Sequence, residues 1–324
     1  MDIVLIRSLA DKPWRSASTY DLIEAGLREQ WPDVRSVQAA SPAELRDRLV
    51  RRSGSPQSLF AFNIAEYLDE DRKQGFIPRL LDDWGVPHLG SAAAAVETGL
   101  DKGRTQQLLR ERGVPVPPSF SAGPGDAGLR DRAGDIGYPL IVKPLHEGGH
   151  IGVSEDAIVR DGDALERAVR RNAERFDQPS LVERYLDGPA MREFSVGVIG
   201  NRERLSTPIE IDWDAMPAGT RILSYEAAQH DLERVKPVRD PPTVAMLEDL
   251  ASRTFDAIGA RDYARVDLRM DGSGCFVLEI NIMPGLGPHS FLPEAAREIH
   301  GLDYGALVRR LADEAMRRIG GGGA

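Results

Sequence analysis

Residues 264–285 read Ala-Arg-Val-Asp-Leu-Arg-Met-Asp-Gly-Ser-Gly-Cys-Phe-Val-Leu-Glu-Ile-Asn-Ile-Met-Pro-Gly. Two strand-forming runs, 263–270 and 275–280, are joined by Asp271-Gly272-Ser273-Gly274, a strong hairpin signal. Strand side chains alternate between faces, so Glu279 and Asn281 point to one side, and Arg265 shares a side with Asp267. Pairing of the two strands sets Asp267 opposite the other two. Three oxygen donors converge, and oxygen donors suit Mg2+, with Mn2+ as a substitute. Isolated acids in strands are usually solvated. Here Val266, Leu268, Val277, Leu278 and Ile280 are apolar, so the hairpin is expected to pack on a core. The turn that follows, Pro284-Gly285-Leu286-Gly287-Pro288, lets backbone approach a ligand closely at glycine.

Upstream, residues 140–152 read Leu-Ile-Val-Lys-Pro-Leu-His-Glu-Gly-Gly-His-Ile-Gly. Lys143 ends an apolar strand, and a glycine-rich turn lies behind it. A lysine there suits a nucleotide phosphate, and Gly148 and Gly149 let N–H groups turn towards anionic oxygens. No Gly-Lys-Ser/Thr opens a helix, so this is not a P-loop. The turn joins two strands, with Val153 starting the returning one, so it is not a dinucleotide fingerprint. Alone, an exposed strand-end lysine is the commoner reading.

The first 90 residues alternate buried strands with helices, the rhythm of a small doubly wound lobe. Ser91 is a cap candidate for the helix from residue 92, and Asp101 for the helix ending at Gly113. Residues 92–184 read as a second α+β lobe. Long strands, a helix over 241–258 and two terminal helices complete the chain, with a glycine-rich tail over 319–324.

Composition bounds the function. The 324 residues are 41% hydrophobic and 28% charged, an ordinary globular profile with room for several lobes. The net charge of −10 argues against a general affinity for nucleic acid, which requires clustered Lys and Arg. A few cations in a cleft still suffice for ATP. Arg309-Arg310 reads as a solvated face. The single Cys275 cannot form an internal disulfide, which favours a cytoplasmic setting. No segment approaches the roughly 20 apolar residues that span a bilayer, so no membrane partner is expected.

Several segments then fall into one pattern. They are Gly85-Val86-Pro87-His88-Leu89-Gly90-Ser91, Asp101-Lys102-Gly103-Arg104-Thr105, Ile141-Val142-Lys143-Pro144, and Glu147-Gly148 with Ile151-Gly152. Further on come Leu181-Val182-Glu183-Arg184-Tyr185-Leu186, Arg192-Glu193-Phe194-Ser195-Val196, Arg265-Val266-Asp267, Leu278-Glu279-Ile280-Asn281, Pro284-Gly285 and His289-Ser290. In order and spacing, across nearly all of residues 59–318, the chain resembles the ATP-grasp superfamily, and within it the D-alanine–D-alanine ligases and their relatives.

The resemblance implies a three-lobed α/β fold. An N-terminal lobe spans 1–90, a central lobe 91–184 and a C-terminal lobe 185–318, with ATP clamped between the last two. It implies that Lys102 and Lys143 meet nucleotide phosphates beside Glu147, Gly148 and Gly149. Glu183, Arg184, Tyr185 and Leu186 would read adenine, and Glu193 would hold the ribose. Asp267, Glu279 and Asn281 would bind Mg2+, Arg265 and the N–H of Gly285 would stabilise the tetrahedral intermediate, and Ser290 would bind the acceptor's carboxylate. A homodimer is implied as well.

Three departures fall on the first-substrate side. The opening after the first strand, residues 7–15, lacks the family's glycine-rich motif with its substrate-binding glutamate. Glu147-Gly148 is followed by Gly149-His150 instead of serine. The loop that usually ends Tyr-Glu-Ala-Lys reads Tyr225-Glu226-Ala227-Ala228, with His230 and Lys236 as candidate replacements for the lysine. Asn63, Glu66, His150 and Tyr225 are therefore the candidates for contacts to an amino-acid-like substrate. The expectation is an ADP-forming carboxylate–amine ligase working through an acyl phosphate, with changed substrate and a place in specialised-metabolite biosynthesis. The alternatives are an authentic D-alanine–D-alanine ligase and a nucleotide-binding protein without catalysis.

Overall fold

The computed structural model describes residues 2–12, 15–50, 58–216, 222–223 and 233–321. The expected contacts of Tyr225, Ala228 and His230 lie outside the described residues.

The N-terminal region is βαβαβ: β1 (Asp2–Arg7), α1 (Ala17–Arg28), β2 (Arg35–Gln38), α2 (Pro42–Val50) and β3 (Leu59–Asn63). The strands run parallel in the order β2-β1-β3. The continuous apolar run in β1 is explained by helices on both faces. Ile3 and Leu5 pack towards α1, while Val4 and Ile6 pack towards α2. Ser16 caps α1 by accepting from the N–H of Thr19. A hairpin, β4 (Tyr67–Asp69) with β5 (Gln74–Phe76), and the helix α3 (Ile77–Asp83) follow.

Two helices come next, α4 (Ala93–Leu100) and α5 (Lys102–Glu111). Asp101 caps α5 as its sequence predicts, accepting from the N–H of Arg104 at 2.9 Å. Ser91 does not cap α4. The N–H of Ala93 donates to Asp82 of α3 at 2.7 Å, and Ser91 Oγ accepts from the N–H of Arg261 at 3.0 Å. A carboxylate brought by tertiary packing has displaced the local hydroxyl.

The central sheet holds β6 (Ser119–Ala122), β7 (Leu140–Pro144), β8 (Ile158–Val159) and β9 (Ser180–Arg184), antiparallel in the order β6-β9-β7-β8. It is backed by α6 (Leu129–Ile136) and α7 (Gly162–Phe176). The return from the glycine turn pairs only at Ile158 and Val159, later than the expected start at Val153. Gly152 has φ 78°, and a Cβ there would meet Pro144 Cγ at 2.5 Å, so the chain crosses over Pro144 before it can pair.

The last sheet is antiparallel in the order β12-β11-β10-β13-β14. Its strands are β10 (Arg192–Ile199), β11 (Leu205–Ile211), β12 (Val235–Pro237), β13 (Tyr263–Asp271) and β14 (Gly274–Asn281). The helix α8 (Pro241–Ile258) covers one face, and Asp240 caps it. Ala95, Val96 and Leu109 of α4 and α5 join this same core. These helices, assigned from the sequence to the central lobe, thus pack under the C-terminal sheet. The chain closes with α9 (Phe291–His300) and α10 (Tyr304–Gly320).

Helix α10 packs back on the N-terminal region, sharing a core with Ile23, Leu27, Phe60 and Phe62. Arg309, expected to be solvated, pairs with Glu29 at the C-terminal cap of α1. Asp262, fully buried with φ 65°, is the hub of this junction. It accepts from Arg318 through both carboxylate oxygens at 2.9 Å, from the N–H of Gly90 at 2.7 Å and from Asn201 at 2.9 Å. Among the described residues, no helix is long and apolar enough to cross a membrane.

Candidate active site

Three neighbouring strands of the last sheet present polar side chains in rows on one face. Pairing sets Glu193 opposite Arg269, Ser195 opposite Asp267 and Gly197 opposite Arg265. On the other flank Asp267 lies opposite Glu279, and Arg265 opposite Asn281. The intervening residues Phe194, Val196, Val266, Leu268, Val277 and Ile280 point to the core. The alternation read from the hairpin therefore holds along these rows, with one exception. A bulge lies between Asp267 and Leu268, where the partner strand steps from Glu279 to Val277. Leu278 is the extra residue. It leaves the core, where the sequence placed it, and lines the cleft beside Glu279, because two residues of a bulged strand oppose one.

Arg265 grips Asp267 with two bonds, Nε to Oδ1 at 2.9 Å and Nη2 to Oδ2 at 2.7 Å. Ser195 Oγ donates to Asp267 at 2.7 Å. Asn281 Nδ2 donates to Asp267 at 2.8 Å and to Glu279 at 3.3 Å. Burial acts to push the Glu279 carboxyl up, but the charges of Lys102, His150, Lys143 and Arg265 outweigh it and hold it down at about 2. That acid is ionised at neutral pH although the protein encloses it.

These residues fit a hard divalent cation. Glu279 offers ionised oxygens, Asp267 a second carboxylate, and a flip of the Asn281 amide turns its oxygen inwards. Among the described residues no group of three His, Cys, Asp or Glu forms a metal cluster. Two carboxylates and one amide suit Mg2+ in particular, which completes its shell with phosphate oxygens and water.

The cations opposite come from other elements. Lys102, at the start of α5, donates to the carbonyl of Glu147 and stands 3.7 Å from Glu279. Lys143, near the end of β7, pairs with Glu183, which also accepts from Gln106 at 2.7 Å. The Glu147 side chain is engaged elsewhere, accepting from Lys73 at 2.8 Å and Gln178 at 2.9 Å. Glu147 therefore serves the cleft through its carbonyl, which fixes Lys102. Burial pushes the Glu193 carboxyl up, against the charges of Arg269, His150 and Lys143. Its Oε2 is 3.0 Å from Arg269 Nη1 but makes no hydrogen bond, leaving a buried acceptor that suits a ribose hydroxyl.

Lys102, Lys143, Glu147, His150, Glu193, Arg265, Asp267 and Glu279 all line one cleft. Others among the sequence candidates do not line it. The N–H groups of Arg184 and Tyr185 are bonded to the carbonyls of Pro118 and Pro139. Arg184 reaches Asp271 and Ser273, and Tyr185 stacks against Arg269. Asn63 is buried with its amide bonded at both ends to Ala65, so it fixes the exit from β3 and does not face the cleft. Glu66 is paired with Arg15. Ser290 stands at the N-cap of α9, yet its side chain makes no cap hydrogen bond.

The sequence reading missed several contributors. Ser195 and Arg269 were both on the right face by alternation, so a count along β10 and β13 finds them. Gln106, Ile211, Ile222, Leu223 and Phe291 carry no local signal. Gly197 explains how Phe291 gets there. A Cβ on Gly197 would meet Leu292 Cδ1 at 3.0 Å, so glycine admits α9 against the sheet, and Arg265 lies over the Phe291 ring.

A family profile described as D-ala D-ala ligase C-terminus matches residues 110–313. The chain is 38% identical over 247 residues to a D-alanine–D-alanine ligase of Chromohalobacter salexigens, covering 75% of this chain and 74% of that one. It is 35% identical over 284 residues to an uncharacterized protein of Sinorhizobium fredii, covering 86% and 79%. A crystal structure of D-alanine–D-alanine ligase from Bacillus anthracis complexed with ATP superposes with TM-score 0.78, covering 100% of this chain and 99% of that one. At 21% identity that likeness shows the fold. The fold and the site define an ATP-grasp enzyme. The chain belongs to the D-alanine–D-alanine ligase family and is an ATP-dependent, ADP-forming C–N ligase.

Proposed function

We propose that this enzyme joins two molecules of D-alanine, using ATP with Mg2+. The observation that carries the reading is the row Arg265, Asp267, Glu279 and Asn281 with Lys102 and Lys143 around it, in a chain whose named relatives are D-alanine–D-alanine ligases.

The first D-alanine attacks the γ-phosphorus through its carboxylate, giving ADP and an acyl phosphate. Lys102 and Lys143 counter the phosphate charge as point cations. Bound Mg2+ supplies further neutralisation of the phosphoryl oxygens. Asp267, Glu279 and Asn281 would hold it. The amine of the second D-alanine then attacks the acyl carbon, and phosphate leaves. Arg265 and the N–H of Gly285 are the donors for the oxyanion, each worth about 3 kcal/mol if aimed at it. Ser290 keeps its hydroxyl for the acceptor's carboxylate. A cytoplasmic homodimer belongs to the same reading, and sedimentation tests it.

A changed first substrate is the second reading, and Arg15 favours it. Where the resemblance leads one to expect a substrate-binding glutamate, the N-terminal region offers a guanidinium paired with Glu66 and Glu70. The further step, to specialised-metabolite biosynthesis, has no support in the comparisons. The test is ADP release and product mass with D-alanine and with a panel of D- and L-amino acids. D-alanyl-D-alanine formation supports the first reading, and turnover with another amino acid alone replaces it. Nucleotide binding without turnover on any carboxylate would leave a non-catalytic protein.

A further inference from the structure

We infer that His150 is a catalytic residue that donates a hydrogen bond to the transferred phosphoryl group from the glycine turn, and that Glu233 is the residue positioning its ring. The inference rests on the ligase reading for the identity of that group.

Among the described residues, every other basic side chain lining the cleft has a close partner of its own. Lys102 holds the Glu147 carbonyl, Lys143 holds Glu183, Arg265 holds Asp267 and Arg269 pairs with Glu193. His150 differs. Its Nε2 is 3.6 Å from Glu233 Oε1, too far for a hydrogen bond. Among the described residues, Glu233 Oε1 is itself buried without a hydrogen-bond partner. An unsatisfied buried carboxylate oxygen is costly, so the pair is close to a contact that it does not complete.

The position of the ring is held against local preference. His150 has φ 61°, between Gly149 at 59° and Gly152 at 78°. A non-glycine residue in the left-handed region costs about 1 kcal/mol, and here the result is an imidazole directed into the cleft. Its charge is felt by Glu193 and Glu279 on the sheet and by Glu233 behind it. It therefore lies in the same cleft as Glu279, which would hold the cation, and Glu193. The other described candidate for a missing cation, Lys236, is tied to Asp212 at 3.1 Å and half exposed.

The step uses the imidazolium form of the ring, which carries an N–H on each nitrogen, and no proton moves. As the acyl carboxylate bonds to phosphorus and the β–γ bridge breaks, the ring N–H away from Glu233 donates to a phosphoryl oxygen. The other ring N–H closes its 3.6 Å gap to Glu233. A buried carboxylate then gains the partner it lacks at the moment that phosphoryl charge is being held.

The test compares binding of ADP and of a non-hydrolysable ATP analogue, both with Mg2+, to the full chain and its variants. His150→Asn tolerates the left-handed backbone, and His150→Gly removes the strain altogether. Both are expected to weaken the analogue about tenfold, as for one charge-assisted hydrogen bond, while ADP stays within about twofold of the parent. Glu233→Gln should weaken the analogue less, and add nothing in combination with His150→Asn. Equal loss for both nucleotides, or no loss for either, overturns the inference. Amino-acid-dependent ADP release is scored separately. If it fails while the γ-specific loss persists, the ligase reading falls and the role of His150 in phosphoryl contact stands.

Discussion

Two buried clusters in this molecule are built alike and differ in what surrounds them. In the C-terminal sheet, Arg265 grips Asp267 beside Glu279 and Asn281. In the N-terminal region, Arg15 is wedged between Glu66 and Glu70, with Nη2 3.4 Å from the Met283 carbonyl. Each is one guanidinium among acids. The first lines a cleft and is overseen by Lys102, Lys143 and His150, so Glu279 is held down at about 2. The second has no such surplus. Burial pushes the Glu70 carboxyl up to about 7, with Arg15 opposing and Glu66 adding to the rise. An arginine–carboxylate cluster alone does not identify a site. Excess cations and an open side do.

The comparison breaks most sharply at Asp267. Asp267→Asn should lower ADP release by about 10³-fold, several kcal/mol of lost phosphoryl stabilisation. A steady-state assay over a Mg2+ titration checks it. If activity survives at any Mg2+ concentration, the row is not the metal site.

Arg15→Met is the corresponding cut on the other side. It strands two buried acids, and removing one partner of such a group costs about 3 kcal/mol. Urea denaturation should show that loss, while affinity for ADP stays unchanged. A variant as stable as the parent, but with altered amino-acid preference, would instead place Arg15 in the substrate pocket.

The third contrast is in pH. Glu70 has a raised folded pKa, so its contribution is fully present below about 4.5 and is lost as pH rises through about 7. Glu70→Gln cannot ionise. It should therefore raise the melting temperature relative to the parent at pH 8 and do so less at pH 5. An identical difference at both values would show that Glu70 does not titrate in that range.

The smallest effect is expected at Ser195. Its hydroxyl steadies an oxygen of Asp267 that Arg265 already holds. Ser195→Ala should cost about 1 kcal/mol or less, read as a rise in KM for ATP at little change in kcat.

How much of this was legible beforehand follows from sequence separation. The hairpin, its turn, the cap at Asp101 and the face shared by Asp267 and Glu279 are local, and strand and helix periods reveal them. Arg15 lies more than 50 positions before Glu66 and Glu70 along the chain, and nothing local pairs it with them. Ser91 had the right chemistry for a cap, but Asp82 arrived first through packing. Asn63 looked like a cleft residue because it ends a buried strand, whereas its amide closes on Ala65 two residues later. Glu233 carried no motif at all.

The bulge at Leu278 has one more consequence. Without that residue, Val277 would still meet Leu268, and Glu279 would still meet Asp267, in an unbroken ladder. Cys275, Val277 and Ile280 are buried with a spacing of two and then three, and removing Leu278 makes the spacing even. The strand thus contains a single position that its folding code does not require. Shortened by that one residue, the protein should assemble as before and lack only a patch of greasy lining, a rare case of a side chain that can be erased from a core strand without shifting any other out of phase.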